Sequence, residues 1–183
     1  GNLARSNADN QVAIVSAGAI EPLVALVHGG SARAQENAVW SLGNLAHDAN
    51  NQVATAVGPL VALVRGGSPV AQETAARTLG YLASNTGNKV VIAQAGAIEP
   101  LVALLRGGSA EVQEAAAWSL ANLAHSNADN QVAIAQADAI QPLVALARGG
   151  NPAAQQQAAS ALGYLAYDAG NKVVIAQAGA IEP

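Results

Sequence analysis

Cysteine, methionine and phenylalanine are absent from the 183 residues, and aromatics make up only 3%. Without cysteine there is no disulfide, no thiolate nucleophile and no Cys-ligated zinc. Charge is sparse too, at 11% of residues, and eight Lys plus Arg against twelve Asp plus Glu leave a formal net charge of -4. Nucleic acid and anionic membranes call for a concentrated positive field to displace counterions, so neither is an expected partner. The longest apolar run, Val90 to Leu105, is interrupted by Gln94, Gly96, Glu99 and Pro100. It falls short of the roughly 20 residues of a membrane span, and no basic-then-apolar leader follows Gly1. The 51% hydrophobic content is carried mainly by Ala, Val, Leu and Ile, a composition suited to closely packed helices and a chain folded throughout.

The sequence repeats itself. Gly-Gly pairs begin at Gly29, Gly66, Gly107 and Gly149, spaced 37, 41 and 42 residues apart. The leucine of an N/Y-L-A triplet recurs at Leu3, Leu45, Leu82, Leu123 and Leu165, with spacings of 42, 37, 41 and 42. Between these markers the order is constant: an NQVA or NKVV start, a Gly or Asp joint before A-I-E/Q-P, an LVAL core, then a longer stretch closing on L-x-x-L-A. Each unit reads as three helices. The first is expected to be capped at Asp9-Asn10 or Asn88 and to end at a left-handed Gly18, Gly96 or Gly179. The second carries Pro22, Pro59, Pro100 or Pro142 in its first turn, where a missing N–H costs little. Within it Ile20, Leu23, Val24 and Val27 keep the spacing of a buried stripe. Ser31 or Ser109 caps the third helix, in which Ala38, Leu42 and Leu45 face inward and Asn37, Trp40 and Asn44 occupy another face.

Two features depart from the period. The second unit reads NQVATAVGPL and is four residues short, which predicts a shortened first helix near residues 51–58. The ends, 1–4 and 163–183, read as partial units of a single array of about four repeats over residues 1–183, without polar capping repeats. Units this alike fit either a duplicated natural array or an engineered consensus.

A period near 42, with GAIEPLVALL and EVQEAAAWSLANLA as second and third helices, resembles the armadillo repeat. Tetratricopeptide and ankyrin units are shorter, about 33 to 34 residues, and HEAT repeats usually lack the Gly-broken first helix. The resemblance implies an all-α fold, a right-handed α-solenoid or superhelix of three-helix repeats, non-enzymatic and without cofactor, in an intracellular, cytoplasmic or nuclear setting. It also implies that the third helices line a concave groove binding an extended or disordered peptide segment of another protein. In peptide-binding members a W-x-x-x-N pair does that work, which carries over to Trp40 with Asn44 and to Trp118 with Asn122.

The residues bear on that role independently. An Asn amide can donate to and accept from a peptide backbone, and a Trp four residues earlier lies beside it as an apolar wall. The tryptophans are expected to be exposed, because sister units place Arg77 and Ser160 at the same position and the inward stripe is already filled. The asparagine position reads Asn2, Asn44, Tyr81, Asn122, Tyr164, so the ladder is interrupted. Asn37, Thr74, Ala115 and Gln157 continue it, with Glu36, Glu73 and Glu114 at its edge, where a helix N-terminal dipole also favours carboxylates. That lining is too weakly acidic for a nuclear-localisation-signal receptor. His28, His47 and His125 have no metal-ligand spacing, and no serine stands in a nucleophile elbow. The alternative reading is a structural module that associates head-to-tail through uncapped repeat ends.

Overall fold

The computed structural model describes residues 13–14, 17–46 and 53–179. Besides the helical residues 13–14, eleven helices occur among them and no strand. In chain order these are α1 (Ile20–Gly29), α2 (Ala32–Ala46), α3 (Val53–Gly66), α4 (Pro69–Leu82), α5 (Thr86–Gln94) and α6 (Ile98–Gly107). They continue with α7 (Ala110–Ala124), α8 (Ala128–Gln136), α9 (Ile140–Gly149), α10 (Pro152–Leu165) and α11 (Ala169–Gln177).

Caps and joints set these boundaries. Third helices α4, α7 and α10 start where Ser68, Ser109 and Asn151 accept from the backbone N–H of Ala71, Val112 and Ala154. Pro69 and Pro152 sit in the first turn, where no intrahelical donor is lost. First helices α5, α8 and α11 are capped by Asn85, Asn127 and Asp168. The expected cap Asn88 lies instead inside α5, and its buried amide donates to the Leu82 carbonyl at the end of α4. Asn130 and Asn171 do the same for Leu123 and Leu165. An asparagine three residues after the cap of each of these first helices thus closes the preceding third helix. Asp9 and Asn10 lie outside the described residues.

The reversal between first and second helices uses left-handed residues: Gly18, Gly96 and Gly179 at φ 78°, 73° and 77°, and Asp138 at 60°. At this joint α5 and α6 bend by 81°. The short unit has no such residue. From Val53 its expected separate first helix is continuous with the second, so α3 runs unbroken to Gly66 with Pro59 in its interior; residues 51 and 52 lie outside the described residues.

Third helices α2, α4, α7 and α10 pack in sequence, each also resting on the second helix of its own unit. A single core runs through the stack, with Leu42, Leu79, Leu120 and Leu165 on the third helices and Leu60, Leu101 and Leu143 beneath them. Buried alanines such as Ala75, Ala76, Ala115 and Ala116 let neighbouring helices approach closely. Polar straps join successive units. The Arg65, Arg106 and Arg148 guanidiniums donate to the carbonyls of Gly96, Asp138 and Gly179, at 3.3, 2.9 and 2.6 Å. Each closes the frayed end of the next unit's first helix.

Candidate functional site

The outer face of the third helices carries the ladder, and helical spacing decides what it presents. On α2, Asn37 is exposed, Trp40 is 43% exposed and Asn44 is half-buried with its amide nitrogen inside. On α4, Tyr81 is 59% exposed, and the Thr74 hydroxyl turns back to the Val70 carbonyl at 2.7 Å. On α7, Trp118 and Asn122 are half-buried and Ala115 is fully buried. On α10, Tyr164 and Ser160 are half-buried, and the Ser160 hydroxyl donates to the Gln156 carbonyl at 3.0 Å.

Neighbouring layers make the two tryptophans unequal. Trp118 meets Tyr81 edge-on, with centroids 4.7 Å apart and planes at 71°. Its ring also covers Gly80, where an added Cβ would lie 2.5 Å from the indole. Asn122 Nδ2 donates to the Gly80 carbonyl at 3.2 Å, so one of the two N–H groups of that amide serves the stack. Tyr164 packs against the His125 ring, centroids 4.8 Å apart.

Arg77, at the tryptophan position of its layer, is held by two carboxylates. Its Nε donates to Glu73 Oε1 at 3.1 Å, and its Nη2 to Glu114 Oε1 at 3.0 Å across the gap to α7. Burial alone would lower its pKa, but the hydrogen bonds to Glu114 and Glu73 outweigh it and raise the pKa above the ordinary value. Sequence reasoning placed these glutamates at the ladder's edge without this grip. The i, i+4 spacing of Glu73 and Arg77 was a signal for one half of it; Glu114, 37 residues away, gave none. Exposed Glu111 is held below the usual carboxylate range by its own backbone N–H and by the Ser109 hydroxyl.

A second cation is buried beneath this face. Lys89 is 2% exposed and its ammonium donates to the His125 carbonyl, which caps α7. Burial pushes its pKa down. Gln131 holds the corresponding place in the next unit and donates to the Ala124 carbonyl at 2.9 Å.

Among the described residues no group of three His, Cys, Asp or Glu side chains could hold a metal ion. No single helix there is long and apolar enough to cross a membrane.

The Armadillo/beta-catenin-like repeat family model matches residues 7–47, 85–125 and 127–167, passing over the unit with the fused α3. No curated protein matches the sequence. An engineered protein solved by crystallography is 32% identical with a TM-score of 0.90, over 98% of this chain and 77% of its own. A designed armadillo repeat protein in complex with the peptide (KR)4 is 30% identical, TM-score 0.87, over 98% and 78%. A computationally designed armadillo repeat protein for modular peptide recognition is 29% identical, TM-score 0.85, over 98% and 79%. With three of its units matched and the stacked three-helix architecture shared along nearly its whole length, the chain belongs to the armadillo repeat family.

Proposed function

We propose that the chain is a non-enzymatic scaffold that holds an extended segment of another protein along the face of its stacked third helices. The observation that carries this reading is the row of exposed Trp40 and Tyr81 on successive layers, on the same face as Asn44 and Asn122. Large aromatics exposed on adjacent layers, Tyr81 one helical turn further along its helix than Trp40 is on its own, offer an apolar shelf. Helix layers about 8 to 10 Å apart pass two to three residues of a strand rising about 3.3 Å each. The peptide-bound designed neighbour and the one designed for modular peptide recognition support a peptide ligand in general. Asn122 commits one N–H to Gly80 and keeps Oδ1 and its second N–H, an acceptor and a donor for a peptide backbone.

Fluorescence titration of extended-peptide libraries against the wild type and an Asn44→Ala, Asn122→Ala double variant tests the reading. A loss of about 10-fold or more is expected, from two hydrogen bonds at roughly 0.5–1.5 kcal/mol each. Equal affinities would remove the asparagines from the mechanism.

End-to-end self-association is the second reading. It draws on the last unit's Tyr167, Val173 and Val174, exposed by 76%, 57% and 46%. Light scattering across a concentration series separates the two, since a strict monomer leaves only the scaffold.

A further inference from the structure

We propose that Arg77 is a specificity-determining residue of this groove: an internal cation that fills the place between Glu73 and Glu114, turning away ligands with Lys or Arg at that rung in favour of neutral ones. The proposal rests on the peptide-binding reading and adds the class of segment the face accepts.

The argument begins with register. Arg77 stands where the adjacent layers carry Trp40 and Trp118 and the last carries Ser160. Its side chain, 38% exposed, spans two layers by joining Glu73 of α4 to Glu114 of α7. The four third helices carry only four glutamates and two arginines. Arg77 therefore neutralises much of the negative charge there, at the centre of the row. The other arginine, Arg33, is exposed near the start of α2.

Charge and tethering then decide which cation holds the carboxylates. A ligand guanidinium or ammonium arriving at this rung must displace a guanidinium already tied to the backbone. Tethering gives that group an effective concentration of about mM or more. The incoming cation also meets the Arg77 charge at short range, which offsets about half of the attraction of the two carboxylates and leaves a weaker pull than the bare Glu73 and Glu114 would exert. A neutral or aliphatic ligand residue meets neither obstacle and can rest against the stem of Arg77 and the Tyr81 ring. Removing Arg77 leaves Glu73 and Glu114 facing the ligand without a partner cation.

The test titrates the full chain with two labelled peptides, (KR)4 and the uncharged (LQ)4, by fluorescence anisotropy. Wild type is compared with Arg77→Ser, Arg77→Gln, the Arg77→Ser, Glu73→Gln, Glu114→Gln triple variant, and Arg33→Ser as a control of equal charge change. Arg77→Gln keeps helix propensity and length, so it covers the case of a poorly folded serine variant. Expected is a gain of about 10-fold or more in (KR)4 affinity for both Arg77 variants at low salt. That gain falls as salt rises and disappears in the triple variant. Arg33→Ser changes (KR)4 affinity, and the Arg77 variants change (LQ)4 affinity, by less than about 2-fold. If wild type binds (LQ)4 and the Arg77 variants bind (KR)4 no better, or Arg33→Ser gives the same gain, this proposal fails while the scaffold reading stands. If no variant binds either peptide and the libraries give no ligand, both fall.

Discussion

Trp118 rests on the backbone of Gly80, one layer away, in a space that a single methyl group would fill. A Cβ at Gly80 would approach two indole carbons at 2.5 Å and the Ser119 hydroxyl at 2.8 Å. Gly163 occupies the same place in the last third helix and has nothing within 4 Å. Gly80→Ala should therefore destabilise the fold by about 1–3 kcal/mol through overpacking. Gly163→Ala should stabilise it by about 0.5–1 kcal/mol, since only the backbone entropy of glycine is removed. Urea unfolding of both variants reads the two signs, and two changes of the same sign would contradict this account of the interface.

The buried Lys89 makes stability depend on pH in an identifiable direction. Its pKa in the folded chain lies below the ordinary 10.5. Between the two values the unfolded chain binds more protons, so stability rises with pH across that interval. Lys89→Gln, which puts the residue of Gln131 in its place, removes this contribution. The unfolding free energy of wild type relative to Lys89→Gln should increase as pH climbs toward 10.5. A difference that stays flat from pH 7 to 10.5 would show that the ammonium is not desolvated in the fold.

Restoring the missing joint should split α3. Replacing Thr55–Gly58 with IAQAGAIE gives the second unit the same length and left-handed glycine as the unit holding α5 and α6. The product should show two helices with a bend near the 81° of that pair. A crystal structure of the variant, or its amide chemical shifts, settles this: an unbroken helix through the insertion would mean that packing rather than the glycine makes the turn.

Much of the architecture was legible because it is local. The Gly-Gly spacing, the Ala38, Leu42 and Leu45 stripe, the Ser109 cap and the left-handed Gly96 all follow from neighbours a few residues away. The first-helix cap was misplaced from Asn85 to Asn88. An asparagine suits either position, and what separates them is the contact of Asn88 with Leu82 on another helix. The fusion of α3 was visible only as a deletion. The candidate site followed the same division. Its face was readable from helical period, but what each residue does there depends on the adjacent layer. Tyr81 covers Trp118, Gly80 takes the amide of Asn122, and Glu114 takes the guanidinium of Arg77, each across 37 to 42 residues of sequence.

The arginine straps also say something about stiffness. Three successive boundaries are tied from Arg65, Arg106 and Arg148 to a carbonyl of the following unit. Directional hydrogen bonds resist shear, whereas apolar contacts such as those around Val39 and Leu42 slide more readily. Seen as a spring, the array from α3 onward is stitched coil to coil, and a segment laid along α4, α7 and α10 would meet rungs held at a fixed spacing.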